Sequence, residues 1–587
     1  MSYGEPLYFG PEERPLFGWL HRAARPARLG LVLCGPFGYE SICTYRILRH
    51  FAAAANAAGI PALRFDYDGT GNSAGDDREP DRLAAWVASV RHAIDALRAH
   101  TDVEQVVLLG VRLGATIATL AAIDRSDVDS LVAVAPVVAG KAYLRELRAL
   151  QMSAGLPQAP PHLVVEAGGQ EALGFSFTAA TRADLSAVDL TALERLPAPA
   201  VLLIERDDLP ADESWPQGLA TLGVAVERRR LPGYVDMVLG AEFSKVPEEM
   251  VFATIEWLGV RAGMLGVPDL AKPVTAPVTR RRARIGAIIE SAEIVDEDGR
   301  LFGVLSTPAA PPPVRRGLLL LNAGAVHHIG PNRLYVNLAR RWAALGHAVL
   351  RLDGGGIGDS MPRPGQHENV VYTDDASDDI ARGLAFLRRQ PGVTEVHALG
   401  LCSGGYNAFK AAVAGVPLDG VLLINPLTFF YKPDRPLADA EDHVIFEASR
   451  YFRRLRDVDA WTKLFRRGVD LRIAGRTLAR FFANRLRGRA QELARRAGVK
   501  IGDDLAHELA TIVEKRIALG FVFSAGDPGV DLLRTHGGPT VERLRRAGQL
   551  SIEIIEGPDH TFTPLWSHPV LTATLAAHLD ELPRARG

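Results

Sequence analysis

The feature of this sequence that most constrains its fold is an internal repeat with a period of about 287 residues. Residues 66–73, DYDGTGNS, recur as residues 353–360, DGGGIGDS. Residues 110–114, GVRLG, recur as residues 400–404, GLCSG. Because both pairs keep nearly the same spacing, we predict two copies of one fold arranged head to tail.

The stretch between the copies sets the expected domain boundaries. It contains prolines and then a basic run, and its apolar residues show no helical or strand periodicity, which is typical of a linker. We therefore predict a first domain over residues 1–262, a linker over 263–283 and a second domain over 284–587.

Short apolar runs alternate with helical patterns in each copy, which predicts an α/β fold with a parallel sheet between helices. In the second copy the runs are continuously apolar, as expected of strands buried on both faces. The predicted strands of the second copy lie near residues 317–321, 347–352, 395–399, 419–424, 519–523 and 550–555. Its predicted helices lie near residues 331–345, 374–390 and 404–415.

One segment of the second copy is too long for a connecting loop. Its helical periodicity predicts a helical cap over about residues 428–515. Residues 450–500 within it contain 16 Lys and Arg against 4 Asp and Glu. These basic residues either form a solvated helical face or dock an acidic partner, such as an acyl-carrier protein or the phosphates of a coenzyme A thioester.

A strand, a tight glycine-flanked turn and a helix surround Cys402, which is the setting of a nucleophile elbow with Cys in place of the usual Ser. The dipole of the following helix favours a thiolate. We expect the oxyanion hole to use the main chain of Ser403 and of the loop at Ala323 and Gly324. Ser403 is the rival nucleophile, but it lies one residue out of register.

An acid and a histidine follow Cys402 along the chain, each just after a predicted strand. Asp527 follows the strand at 519–523, and His560 follows the strand at 550–555. Asp531 is a rival acid, but it is predicted to lie on a helix. The order nucleophile, acid, histidine predicts a Cys402–Asp527–His560 triad in an α/β hydrolase.

Polar residues after the first strand of the second copy are further candidates. We expect His327, His328 and Arg333 either to contact substrate or to serve only as polar loop and helix-cap residues. We expect no metal site, because adjacent histidine side chains diverge and no spaced ligand set is evident.

The first copy lacks catalytic groups at the same positions. Arg112 occupies the elbow, Asp207 or Asp208 the acid position, and Asp236 the histidine position. A guanidinium is not a nucleophile. Arg112 either pairs with Asp236 across the site or binds an anionic group of a substrate or carrier.

Both copies resemble α/β hydrolases encoded beside exosortase systems, often described as serine-aminopeptidase-like. The matching residues of the second copy are Asn322-Ala323-Gly324, His328, Gly330-Pro331-Asn332-Arg333-Leu334-Tyr335, Asp353, Gly356-Ile357-Gly358-Asp359-Ser360 and Gly400-Leu401-Cys402-Ser403-Gly404. Those of the first copy, which resembles a sister family, are Phe9-Gly10-Pro11-Glu12, Phe65-Asp66-Tyr67, Gly69-Thr70-Gly71-Asn72-Ser73 and Arg112-Leu113-Gly114-Ala115. The resemblance implies two tandem α/β-hydrolase domains, the second with the large cap insertion.

These observations predict an acyl-transfer enzyme, either a thioesterase or esterase or an acyltransferase, that acts on an ester or acyl thioester without a cofactor. The alternative is a non-catalytic scaffold or binding protein. A net charge of −2 argues against a nucleic-acid partner. The three cysteines form no disulfide framework, and no apolar run approaches the ~18 residues of a membrane span, so we expect a cytoplasmic protein.

Overall fold

A computed structural model describes residues 4–101, 103–160, 168–265, 280–310, 316–432 and 503–581. The chain divides into two compact units. The first unit comprises residues 1–314, 324–370 and 563–566, and the second comprises residues 315–323, 371–562 and 567–587.

The first unit contains a mixed eight-stranded sheet built from the first copy, in the order β1-β2-β4-β3-β5-β6-β9-β10. The strands of the first copy are β1 (Glu5–Phe9), β2 (Leu16–His21), β3 (Leu29–Cys34), β4 (Ala62–Phe65), β5 (Gln105–Val111), β6 (Val128–Val134), β7 (Gln170–Ala172), β8 (Phe175–Phe177), β9 (Ala200–Glu205) and β10 (Ala225–Arg230). Strand β2 pairs antiparallel with β1 and β4, whereas the strands from β4 to β10 pair in parallel. β7 and β8 form a separate hairpin.

Helices cover both faces of this sheet. They are α1 (Tyr39–Ala57), α2 (Arg82–His100), α3 (Leu113–Ala122), α4 (Gly140–Ala154), α5 (Ala179–Ala187), α6 (Ser214–Thr221), α7 (Tyr234–Met237) and α8 (Glu248–Leu265). Alternate residues of a strand point to opposite faces. Val32 accordingly packs in one core with Ile94 of α2, while Leu31 and Leu33 pack in another with Phe51 of α1. The result is the three-layer α/β architecture that the sequence predicts.

The first unit also contains the N-terminal elements of the second copy. They are β11 (Arg282–Ile285), β12 (Ile288–Ile294), β13 (Phe302–Pro308), α9 (Leu334–Ala344) and β15 (Ala348–Leu352). The four strands pair antiparallel in that order. The aromatic ring of Trp19 packs edge-on against that of Phe302, with centroids 4.6 Å apart. The unit boundary therefore cuts across the second predicted domain, because its first strands pack on β1 and β2.

The second unit contains a parallel sheet of five strands with helices. In chain order the elements are β14 (Arg316–Leu321), α10 (Ala376–Arg388), β16 (Glu395–Leu401), α11 (Ser403–Ala414), β17 (Gly420–Ile424), α12 (Leu505–Glu514), β18 (Ala518–Ser524), α13 (Pro528–Arg546), β19 (Leu550–Ile555) and α14 (Ser567–Glu581). The strands pair in parallel in the order β14-β16-β17-β18-β19. The carboxyl ends of parallel strands share one edge of the sheet, which is where α/β proteins place their sites.

The predicted strands and helices of the second copy agree with the structure to within three residues at each end. α8 continues to Leu265 and β11 begins at Arg282, so each element includes residues of the segment 263–283 that was predicted as a linker. Most of the predicted cap, residues 433–502, lies outside the described residues, and so does the basic segment 450–500. Among the described helices, none combines the length and the apolarity needed to cross a membrane.

Candidate active site

Cys402 lies on the sharp turn between β16 and α11. Its backbone has φ 58 and ψ −117, in the left-handed region that few non-glycine residues adopt. A Cβ on Gly400 would lie 2.1 Å from the carbonyl carbon of Gly404, so the turn tolerates no side chain there. The N–H of Cys402 donates to the carbonyl of Ile424 at 2.9 Å. This geometry is that of a nucleophile elbow, with the half-buried thiol at the carboxyl edge of the sheet.

The N-terminus of α11 packs directly on the carboxyl end of β14. A Cβ on Gly404 would come within 2.7 Å of the carbonyl oxygen of Asn322. The close approach sets the main chain of Ser403 beside the loop that continues into buried Ala323. The hydroxyl of Ser403 is itself buried and donates to the carbonyl of Asn322 at 3.4 Å. Of the two side chains at the turn, the thiol of Cys402 is therefore the more exposed.

Gly324, the other residue predicted for the oxyanion hole, lies in the first unit. It has φ +57, and a Cβ there would come within 2.0 Å of a carboxylate oxygen of Glu242. Both the backbone conformation and the neighbouring carboxylate therefore require glycine. Sequence reasoning did not identify Glu242, which belongs to the loop before α8.

Asp527 and His560 meet at the carboxyl ends of β18 and β19. Nδ1 of His560 lies 2.6 Å from Oδ2 of Asp527. The other carboxylate oxygen of Asp527 accepts from the N–H of Gly529 at 2.8 Å and so caps α13. The Asp527 side chain is fully buried, and that of His560 is 27% exposed. Asp531, the rival acid, lies within α13 as predicted.

The electrostatics of the histidine favour its charged form. Burial alone would lower the pKa of His560, but the interactions with Asp527 and Cys402 outweigh it and raise that pKa to about 10. The thiol of Cys402 contributes to this raised pKa through both a hydrogen-bonding and a charge interaction with the imidazole. A protonated imidazole beside a thiol stabilises the thiolate, which is the reactive form.

His327, His328 and Arg333 all contact the first copy. The ring of His327 stacks on that of Tyr45, with centroids 3.6 Å apart. Nδ1 of His328 lies 2.8 Å from Asp353, and its Nε2 lies 2.9 Å from the amide of Asn72. The guanidinium of Arg333 donates to four main-chain carbonyls, those of Gly69, Gly71, Ser73 and Gly75. Burial lowers the pKa of Arg333 to about 10. The three residues pack the copies together, and substrate contact stays a prediction.

Within the described ranges, one group of ligand-type side chains has the spacing of a metal site: His328, Asp353 and Asp359. Its polar atoms are already engaged inside the protein. Asp353 accepts from the main chain of His328 and of Asp359 at 2.7 and 2.9 Å, and Asp359 accepts from Tyr45 at 2.5 Å. Arg64 also forms an ion pair with Asp359. A metal ion would have to displace these bonds, so the cluster is a hydrogen-bond network.

The elbow of the first copy repeats the backbone of the second but holds Arg112. Arg112 has φ 54 and ψ −124 and is buried. Its Nε donates to Glu40 at 2.8 Å, and one terminal nitrogen donates to Glu146 at 2.6 Å. Burial raises the pKa of Glu40 despite the neighbouring guanidinium. Burial lowers the pKa of Arg112, but its interaction with Glu40 outweighs this and raises it.

The predicted ion pair between Arg112 and Asp236 is wrong. Asp236 is half-exposed and pairs with Lys245 at 3.3 Å. The glutamates that neutralise Arg112 come from α1 and α4, elements outside the three triad positions, which is why comparison of the copies did not find them. At the acid position, Asp208 pairs with Arg206 at 2.7 Å, and Asp207 accepts from the N–H of Gly233 at 3.2 Å. The position that holds the thiol in the second copy therefore holds an ion-paired guanidinium in the first.

Known proteins resemble parts of this chain. Solved structures with similarity include Est1E from Butyrivibrio proteoclasticus with bound ferulic acid (16% identity, covering 43% of this chain and 97% of that one, TM-score 0.34). They also include the α/β hydrolase GrgF from Penicillium sp. sh18 (17% identity, covering 44% of this chain and 99% of that one, TM-score 0.33). A proline iminopeptidase from Mycobacterium smegmatis is similar as well (15% identity, covering 44% of this chain and 100% of that one, TM-score 0.32). Comparison with curated proteins gave no match. The model of the family "Serine aminopeptidase, S33" matches residues 41–189, and it therefore identifies an α/β-hydrolase domain in the N-terminal part of the chain.

Proposed function

We propose that the chain is an acyl-transfer enzyme that uses Cys402, His560 and Asp527 on an ester or acyl thioester, without a cofactor. The observation that supports this most is the pairing of His560 with Asp527 at 2.6 Å in the same unit as the Cys402 elbow. A positioned base, an orienting carboxylate and a nucleophile on a strained turn are the parts that nucleophilic acyl transfer requires.

We propose further that the chain is a tandem of two α/β-hydrolase copies, as the resemblance to exosortase-associated hydrolases implies. Corresponding hydrogen bonds support this. In the first copy Ser73 donates to the carbonyl of Asp66 at 2.6 Å and accepts from the N–H of Phe17 at 2.9 Å. In the second copy Ser360 donates to Asp353 at 2.6 Å and accepts from the N–H of Phe302 at 2.8 Å.

The proposed reaction begins with attack of the Cys402 thiolate on the substrate carbonyl carbon. The N–H groups of Ser403 and Ala323 stabilise the oxyanion of the tetrahedral intermediate. Protonated His560 gives its proton to the leaving alcohol or thiol as the acyl–oxygen or acyl–sulfur bond breaks. Neutral His560 then takes a proton from water, an alcohol or an amine, which attacks the acyl–Cys402 thioester and releases the thiolate.

Transfer and hydrolysis differ only in the second nucleophile. Because the acyl-enzyme is itself a thioester, transfer to an amine or alcohol is downhill or near balanced. We therefore propose that this centre is either a thioesterase or esterase or an acyltransferase, depending on which nucleophile accepts the acyl group. An acyl-carrier protein or coenzyme A is the donor that the basic segment 450–500 predicts.

The competing proposal is a scaffold in which neither copy reacts. The closed ion-pair cluster at Arg112 supports that role for the first copy. It does not extend to the second copy, where a thiol and an imidazole with a raised pKa occupy the equivalent positions.

The intact-protein mass after incubation with acetyl and octanoyl thioesters of N-acetylcysteamine tests the proposal. The wild-type chain should gain one acyl mass, located on Cys402 by peptide mapping. Cys402→Ala should gain none, and His560→Ala should gain it far more slowly. Acylation of the wild type no faster than that of His560→Ala would favour the scaffold.

A further inference from the structure

The carboxyl end of β17 presents a side chain that the proposed chemistry does not use. Asn425 is fully buried. Its Nδ2 donates to the main-chain carbonyl of His560 at 2.6 Å and to the hydroxyl of Ser524 at 3.1 Å. Its Oδ1 accepts from the N–H of Ser524 at 2.8 Å. One amide therefore uses both donor hydrogens and its oxygen to join two loops.

These two loops hold the acid and the histidine of the proposed triad. The N–H of Asp527 donates to the carbonyl of Ser524 at 3.0 Å, so the turn that presents Asp527 begins at the residue that Asn425 binds. His560 is bound through its own main chain. The side chains of Asp527 and His560, which are 2.6 Å apart, therefore belong to two loops that Asn425 joins through its hydrogen bonds. Catalytic contacts depend on placement to within about half an ångström, so such an anchor affects reactivity.

The first copy offers an internal comparison at the equivalent strand end. Ala135 follows β6 with φ 48, and Asn425 follows β17 with φ 44. The N–H of Ala135 donates to Ile204 at 2.8 Å, and that of Asn425 donates to Val522 at 3.0 Å. The backbone is thus the same with and without the amide. Positive φ alone does not explain Asn425, and the amide is absent in the copy that lacks a catalytic histidine.

We propose that Asn425 is a positioning residue that holds the imidazole of His560 against Asp527 and toward Cys402. The proposal rests on the proposed function. It assigns the amide to alignment of the thiol–imidazole pair, in addition to any contribution to stability.

The rate of Cys402 alkylation by iodoacetamide, followed by mass from pH 5 to 10, tests this without a substrate. Cys34 and Cys43 are buried, so peptide mapping isolates Cys402. The variants are His560→Ala, Asn425→Gly, Asn425→Ala and Asn425→Asp. Gly keeps the positive φ, Ala reproduces Ala135, and Asp keeps the acceptor for Ser524 but loses both donors. Ile512→Val, a core change in α12 away from the triad, is the destabilised control.

All three Asn425 variants should move the half-maximal alkylation pH upward by at least one unit, which lowers the rate at pH 6 about tenfold. Ile512→Val should leave the profile unchanged. If the Asn425 variants keep the wild-type dependence of the alkylation rate on pH while His560→Ala raises the half-maximal pH, the positioning role is overturned and the proposed function stands. If His560→Ala also keeps the wild-type pH dependence, the proposed interaction between the Cys402 thiol and the His560 imidazole is overturned, and the role of Asn425 with it.

Discussion

Arg112 and Cys402 adopt nearly the same backbone conformation, with φ/ψ of 54/−124 and 58/−117. The strained turn is therefore kept in both copies, and the side chain decides what it does. A guanidinium at the turn is neutralised by two glutamates, whereas the thiol is left half-buried beside an imidazole. Strain of this kind is held in place by its surroundings and indicates function only when the chemistry is present.

The pairing of Asp527 with His560 could be anticipated from chain order, because each residue directly follows a strand of a parallel sheet. The role proposed for Asn425 could not. Its partners, Ser524 and His560, lie 99 and 135 residues away along the chain. The sequence between them does not reveal which residues of the two loops meet. The same is true of Glu40 and Glu146 around Arg112. Contacts made by side chains from unrelated elements have no sequence pattern to reveal them.

The raised pKa of His560 makes stability depend on pH. Its folded-state pKa of about 10 exceeds the ordinary value of 6.5. The charged imidazole therefore stabilises the folded state fully below about pH 6.5, and this contribution disappears as pH rises toward 10. His560→Ala should lower the Tm more at pH 6 than at pH 9.5. His507→Ala, which changes an exposed histidine of α12, is the control. A Tm loss that grows with pH would contradict the assigned shift.

At the scale of elements, the strands of the second copy follow from short continuous apolar runs, as expected of strands buried on both faces. β11, β12 and β13 were not predicted as strands. These strands pair antiparallel, and β12 includes the buried Glu290, so their sequences do not show the continuous apolar runs of the parallel strands. Glu290 is paired with Arg351 at 3.0 Å inside the first unit. A buried ion pair of this kind cannot be inferred from apolar patterning.

The junction of α9 with the loop at residues 69–75 gives a prediction about stability. Arg333 satisfies four carbonyls of this loop at 2.6–2.9 Å. Arg333→Met should destabilise the chain by at least about 2 kcal/mol in urea unfolding, because those carbonyls lose their donor. Arg341→Met, at an exposed position of the same helix, should change stability by no more than about 0.5 kcal/mol. Equal effects of the two changes would refute a structural role for the four bonds.

For the whole molecule, two features distinguish the chain from a pair of independent enzymes. The compact units do not coincide with the repeat, because β11, β12, β13 and β15 belong to the same unit as the first copy. The family match also falls on residues 41–189, the copy whose elbow is Arg112. Sequence similarity thus reports the fold of the first copy, while the residues of the proposed triad occur in the second. The proposed function therefore assigns the reaction to the second copy and leaves the first without a catalytic role.

The measurement that tests this account most directly is kcat/KM for thioester hydrolysis by the wild type, by Cys402→Ala and by the double variant Arg112→Ser/Cys402→Ala. Cys402→Ala should lower kcat/KM at least about a thousandfold, as loss of a nucleophile does. The double variant should recover nothing, since Asp236 in place of histidine leaves the new hydroxyl without a base. Activity of Cys402→Ala within about tenfold of wild type, or recovery in the double variant, would contradict the account.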